Sequence, residues 1–334
     1  MAARAAIYGC GGLTLTAEER AFFRDAEPWG FILFQRNCDN PEQIRALIAD
    51  LRGCVGHEAP VLIDQEGGRV QRLKPPRWRA APPAAVFGAL YQRDPERARA
   101  SLRLNTRLIA AELAGLGITV DCLPVLDVPQ EGAHDIIGDR AYAKEPALVA
   151  ELARVACEAL MEGGVLPVIK HIPGHGRARA DSHLSLPVVD APRAALEAID
   201  FPPFLALRDM PLGMTAHVVY SAFDPDHPAT TSPIVIEIIR EQIGFDGLLM
   251  TDDLSMKALK GPMGERVRTA LHAGCDLVLH CNGDMAEMEA IAAEVPVLSG
   301  AASVRAEAAL ARLHPARPFD VAEATARLSS MIAA

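Results

Sequence analysis

Carboxylates, imidazoles and a lysine gather in three short segments of this 334-residue chain. One reads Lys170-His-Ile-Pro-Gly-His-Gly176 and, after four more residues, Asp181-Ser-His183. A second is Ile63-Asp-Gln-Glu-Gly-Gly-Arg-Val-Gln-Arg72, and a third is Thr251-Asp-Asp-Leu-Ser-Met256. Asp127, Ile137-Gly-Asp-Arg140 and Thr215-Ala-His217 add further polar residues. Three chemistries compete for the histidine-rich segment. His171, His175 and His183 could ligate a metal in a metal-dependent hydrolase, because neutral imidazole is a common zinc ligand. Against this, Pro173 and Gly174 break any helix between the first two, and neither an H-E-x-x-H nor a cysteine pair accompanies them. The same histidines could simply bond loop backbone. In the third reading Asp181 and His183 do general acid–base work, since their i, i+2 spacing on a loop lets both side chains face one pocket. One acidic strand end is usually a cap or an ion-pair partner, whereas several on one rim make a site.

Eight apolar runs must position these residues: 5–9, 30–35, 60–64, 118–126, 165–170, 213–217, 247–252 and 275–280. Each is too short for a helix and is bounded by Gly, Pro or Asp, the pattern of strands buried on both faces. Helical periodicity fills the intervals. One helix opens at an Asn40 cap with Pro41 at its first position and Gln43 three residues on, and buries Ile44, Leu47, Ile48 and Leu51. Another runs from a Ser232 cap through Pro233, Ile234, Ile238 and Ile239 to Gly244, and Thr16 with Glu19 caps a third. The Ala-rich last third reads as helices. Alternating strands and helices, eight times, predict an α/β fold: a (β/α)8 TIM-type barrel forming one catalytic domain over residues 1–334. A doubly wound open sheet is the alternative; Ile7-Tyr-Gly-Cys-Gly-Gly12 lacks the third glycine of its phosphate turn. In a barrel the site lies where strands end, which is where the polar residues fall. Strand alternation sends Asp252 and Asp253 to opposite sides. Glu66 with Arg69 is expected as a structural pair, His175 as a loop support, His217 as pocket floor, and Tyr142 and Tyr220 as walls.

Together the three blocks resemble the signatures of glycoside hydrolase family 3, most nearly its β-N-acetylhexosaminidases acting on recycled cell-wall muropeptides. The blocks spread over nearly the whole chain, and the visible departure is Ile172, where the family usually shows Phe. The resemblance implies a retaining double displacement with Asp252 as nucleophile, leaving Asp253 a structural carboxylate. It also implies His183 as general acid/base, oriented by Asp181, and sugar binding by Asp64, Arg72, Arg140, Lys170 and His171. An imidazole with a pKa of ~6.5 can be protonated in one step and neutral in the next. The chain resembles the short, single-domain members. The implied activity is removal of terminal N-acetylglucosamine from 1,6-anhydro-muropeptides; a β-glucosaminide phosphorylase or broader β-glycosidase is the nearest rival, and a sugar-binding module without turnover a more distant one.

Composition narrows the partners. Lys and Arg total 33 against 43 Asp and Glu, and a net charge of −10 repels a phosphate backbone, so nucleic acid is not expected. No apolar stretch of the ~18 residues a membrane span needs occurs, and no cofactor or resident metal is expected. Arg72, Lys74, Arg77 and Arg79 form the one strongly basic patch, around Pro75-Pro76 and ahead of Pro82-Pro83, and read mainly as a solvated loop. Seven cysteines, an odd number without a paired framework, suit a reducing compartment. The N-terminus lacks the apolar core of a secretory signal. A cytoplasmic enzyme with a small saccharide substrate is the expectation.

Overall fold

A computed structural model describes residues 3–178, 180, 182 and 185–333. The eight apolar runs fold as parallel strands: β1 Arg4–Tyr8, β2 Pro28–Leu33, β3 Val61–Ile63, β4 Val120–Asp121, β5 Leu166–Ile172, β6 Leu212–Thr215, β7 Leu248–Asp253 and β8 Leu277–His280. Each pairs with the next in chain order, and β8 returns to β1, with Ala6 opposite Val278 and Tyr8 opposite His280. The ring is closed, a (β/α)8 TIM-type barrel, and the open-sheet alternative falls. The fourth strand is shorter than the apolar run 118–126: Pro124 has no N–H to give a ladder, and beyond it Val125 makes only an isolated bridge to Lys170.

Alternation along the strands builds two kinds of core. Ile7, Ile32, Leu62, Val120, Val168, Leu212, Met250 and Leu279 fill the barrel. Their neighbours Tyr8, Phe31, Ile63, Ile169, Leu249 and Val278 point outward against the helices. The helices form where the caps lie. Asn40 accepts from the Gln43 N–H at 2.9 Å, and Ile44, Leu47, Ile48 and Leu51 are buried behind it. Thr16 and Glu19 make the reciprocal box, and Glu19 also accepts from the Gly11 N–H at 2.7 Å. In the segment after Ser232 the register differs from expectation: Ile234 is exposed, and Val235 and Ile236 take the core positions beside Ile238 and Ile239. The Ala-rich end is helical at Met285–Ala292, Gly300–Leu310 and Val321–Ala333.

Candidate active site

The carboxyl ends of the strands surround a cavity of about 300 Å³. Its lining brings together Asp64, Arg72, Arg140, Lys170, His171 and Asp252, residues contributed by four separate segments of the chain. Asp64 follows β3 and Lys170 lies near the end of β5, each with the same inward phase as the core residues Leu62 and Val168 below them. Asp252 continues the inward series Leu248, Met250, so its carboxylate faces the cavity. It accepts a hydrogen bond from the Asp253 N–H at 2.8 Å. Asp253 caps the following turn: its carboxylate accepts from the Ser255 N–H at 3.0 Å, from the Ser255 hydroxyl at 2.6 Å and from the Cys281 N–H at 3.2 Å. That is the structural role expected for it, although Asp253 also forms part of the cavity wall.

Five charges form one network across the wall. Lys170 Nζ donates to Asp64 at 2.9 Å and lies 2.7 Å from Glu66. Arg72 reaches Asp64 at 2.8 Å, and Arg140 takes both Glu66 oxygens at 2.9 Å. Burial alone would raise the carboxyl pKa values, but Lys170 and Arg72 hold Asp64 well below the usual range, and Arg140 and Lys170 hold Glu66 at about 2. Burial likewise opposes the charge on Lys170, yet Asp64 and Glu66 raise its pKa above the ordinary lysine value. All five groups are therefore ionised around neutral pH, and their hydrogen-bonding directions are fixed before any ligand arrives.

A second buried carboxylate organises the histidines. Asp127 accepts from the His171 and His175 backbone N–H groups at 3.3 and 2.6 Å and lies 2.7 Å from His171 Nδ1. Burial would raise its pKa, but His171 and His175 hold it at about 2. As an ionised acceptor it places the ring hydrogen on His171 Nδ1, so Nε2 is the atom left for other partners. Burial drives His175 down to about 4, against the pull of Asp127, so its ring is neutral at pH 7. It lines the cavity as well as supporting the loop. Among the described residues no three His, Cys, Asp or Glu side chains meet in a metal-holding group.

Several expectations are corrected. Glu66 pairs with Arg140 and Lys170 rather than with Arg69, whose partners are Asp135 and Asp139. The reason is alternation: Glu66 shares the inward face of Asp64. His217 does not line the cavity; it is fully buried between Thr230 Oγ1 at 2.7 Å and the Asp253 carbonyl at 3.0 Å. Tyr220 is buried with its hydroxyl on the Gly174 carbonyl at 2.6 Å, and Tyr142 packs outside the cavity lining. The aromatic wall is Phe34, at the end of the second apolar run, with the Arg72 guanidinium 4.9 Å from its ring centre. In the basic patch, Arg72 lines the cavity, Arg77 reaches Asp39 at the surface, and Arg79 is tied to Asn105. Asp181 and His183 lie outside the described residues; Ser182 between them lines the cavity. Gln65 and Asp121, which carry no ligand-facing signal in the sequence, prove to brace this wall from behind.

Residues 11–314 match the glycosyl hydrolase family 3 N-terminal domain. The Beta-hexosaminidase of Alkalilimnicola ehrlichii is 42% identical over 279 residues, which cover 82% of this chain and 79% of that protein. The Beta-hexosaminidase of Aromatoleum aromaticum is 35% identical over 312 residues, 92% of this chain and 87% of the other. Among solved structures, native NagZ from Neisseria gonorrhoeae superposes with a TM-score of 0.88 at 32% identity, covering 99% of this chain and 98% of its own. NagZ from the same organism in complex with N-trifluoroacetyl-D-glucosamine gives the same TM-score and identity, with 99% of each chain covered.

Proposed function

The chain belongs to glycosyl hydrolase family 3 and is a glycoside hydrolase of the β-hexosaminidase kind, and on that premise we propose that it is a retaining exo-β-N-acetylglucosaminidase. Its substrate is terminal N-acetylglucosamine on 1,6-anhydro-muropeptides in peptidoglycan recycling. The observation that carries the reading is the convergence of Asp252 with Asp64, Arg72, Arg140, Lys170 and His171 on one cavity. A volume of about 300 Å³ is at the small end for ligand sites and suits one sugar ring, hence attack at a chain end. A second NagZ structure holding a glucosamine derivative supports the sugar class.

In the first step the Asp252 carboxylate attacks the anomeric carbon while the glycosidic C–O bond breaks and His183 gives its proton to the leaving oxygen. In the second, His183 takes a proton from water, whose oxygen attacks the same carbon and expels Asp252, so the anomeric configuration is retained. Asp181 orients His183. The sugar hydroxyls and acetamido group are read by Asp64, Arg72, Arg140, Lys170 and His171, with Asp127 holding His171 in one tautomer. One barrel domain over residues 1–334 carries the whole activity, in the cytoplasm, where seven free cysteines stay reduced. Among the described residues no helix is long and apolar enough to cross a membrane.

The test uses a chromogenic N-acetylglucosaminide and a slow 2-deoxy-2-fluoro sugar. The fluorosugar should trap a covalent adduct that peptide mapping places on Asp252, and Asp252→Ala should lower turnover by about 10⁴-fold or more. An adduct elsewhere, or retained activity in Asp252→Ala, overturns the assignment. Added phosphate should leave the product as free sugar; a sugar 1-phosphate would move the reading to a phosphorylase.

A further inference from the structure

Asp64 lines the cavity and Glu66 meets it at Lys170, while Gln65 between them faces the other way, behind the barrel wall and wholly buried. Its backbone N–H donates to Asp121 Oδ1 at 3.0 Å. Its side-chain oxygen accepts from the Arg72 and Leu73 N–H groups at 2.9 and 3.0 Å, and its amide nitrogen donates to the Leu73 carbonyl at 3.2 Å. One amide thus ties both ends of the 65–71 hairpin, and the Asp121 carboxyl ties that amide's residue to β4. The guanidinium of Arg72, carried at the far end, lands 2.8 Å from Asp64 and over Phe34.

Asp121 is 0% exposed, and its Oδ2 has no hydrogen-bond partner among the described residues. A lone carboxyl in such a place is costly, and a buried Gln65 N–H without an acceptor would be costly too. Burial raises the Asp121 pKa well above the usual range, although the Gln65 N–H and Lys170 oppose it. A neutral acid there adds no third anion to Asp64 and Glu66, whose charges are matched to Lys170, Arg72 and Arg140.

We propose that Asp121 is a positioning residue for the sugar-binding Arg72, acting through Gln65 from the outer side of the barrel wall. The inference rests on the assignment of Arg72 to the substrate, and the experiment separates the two. KM and kcat are measured on an aryl N-acetylglucosaminide, with the Kd of N-acetylglucosamine from calorimetry, for Asp121→Leu, Asp121→Asn, Arg72→Met and the Asp121→Leu/Arg72→Met pair. Asp121→Leu should raise KM and Kd by about tenfold with kcat within about threefold. Asp121→Asn, which keeps the shape and one acceptor oxygen, should recover most of that affinity. In the Arg72→Met background the Asp121 substitution should cost nothing further. Native-like affinity in Asp121→Leu, equal damage from Asn and Leu, or multiplying losses in the pair overturns the inference while leaving Arg72 in the site. Native-like affinity in Arg72→Met sinks both. Should Asp121→Leu not fold, Asp121→Ala removes the same acceptor of the Gln65 N–H and decides by the same outcomes, and Gln65→Met, which removes the acceptor of the Arg72 and Leu73 N–H groups, should raise KM and Kd likewise; native-like affinity in Gln65→Met overturns the inference.

Discussion

Lys170 and Arg69 each brace the cavity by pairing with two carboxylates, yet they do so in opposite surroundings. The Lys170 side chain is 3% exposed, and its partners Asp64 and Glu66 are 15% and 4% exposed. Arg69 is 40% exposed and meets Asp135 at 86% and Asp139 at 43%. The Arg69 clasp joins the 65–71 hairpin to residues 131–140 at the rim, where water and salt compete for each charge. The Lys170 network holds its charges largely out of water, so removal of one member leaves the others short of a partner. Rim geometry can therefore be exchanged at little cost, while the buried wall of the cavity cannot.

The largest effect should come from Lys170→Met. It leaves two buried carboxylates short of a cation, and unfolding free energy from urea melts should fall by about 3–5 kcal/mol, with turnover lost alongside. A loss under about 1 kcal/mol would put network and clasp on one footing. The network should also set an acid limit. Glu66 sits at about 2 in the folded chain, against ~4.3 when unfolded, because Arg140 and Lys170 outweigh its burial. A depressed carboxyl stabilises the fold above its unfolded value and loses that contribution as pH falls through its folded one. The melting temperature should therefore drop between about pH 4.3 and 2. Burial gives His175 an earlier step of the same sign, since its pKa is lowered to about 4 from 6.5 and its stabilisation fades as pH falls through that window. Calorimetric scans of His175→Asn should lack the upper step and keep the lower one; an unchanged upper step would assign it elsewhere. The smallest effect should be Arg69→Gln. Stability should change by no more than about 1 kcal/mol, and any rise in KM should vanish near 1 M salt. A salt-independent loss of several kcal/mol would show that the clasp resists exchange as strongly as the network does.

The barrel was legible because parallel strands buried on both faces leave short apolar runs, and because caps such as Thr16 with Glu19 and Asn40 with Gln43 act through neighbours in sequence. The inward set of Asp64, Lys170 and Asp252 was legible by phase: each continues a period of two begun in the core. Partners were harder. Glu66 finds Arg140 across 74 residues and Gln65 finds Asp121 across 56, pairings that the side-by-side register of β3 and β4 brings about and nearness in sequence does not. The expectation that Glu66 joins Arg69 followed nearness in sequence and missed the turn between them. Tyr220 and Tyr142 were expected as walls from residue type, whereas their rings fill the layer between strands and helices. Phe34 lay in plain view at a strand end, and the signal was its position rather than its chemistry.

The pairing of β8 with β1 has a consequence for time as well as for shape. Ala6 must wait for Val278, so the hoop that fixes the spacing of Asp64, Lys170 and Asp252 cannot tighten until nearly the entire sequence has been synthesised. Helices and neighbouring strand pairs can form earlier, from contacts close along the chain. The cavity is then a late product of assembly, and a nascent chain halted short of β8 would carry Asp252 without the completed ring that aims it.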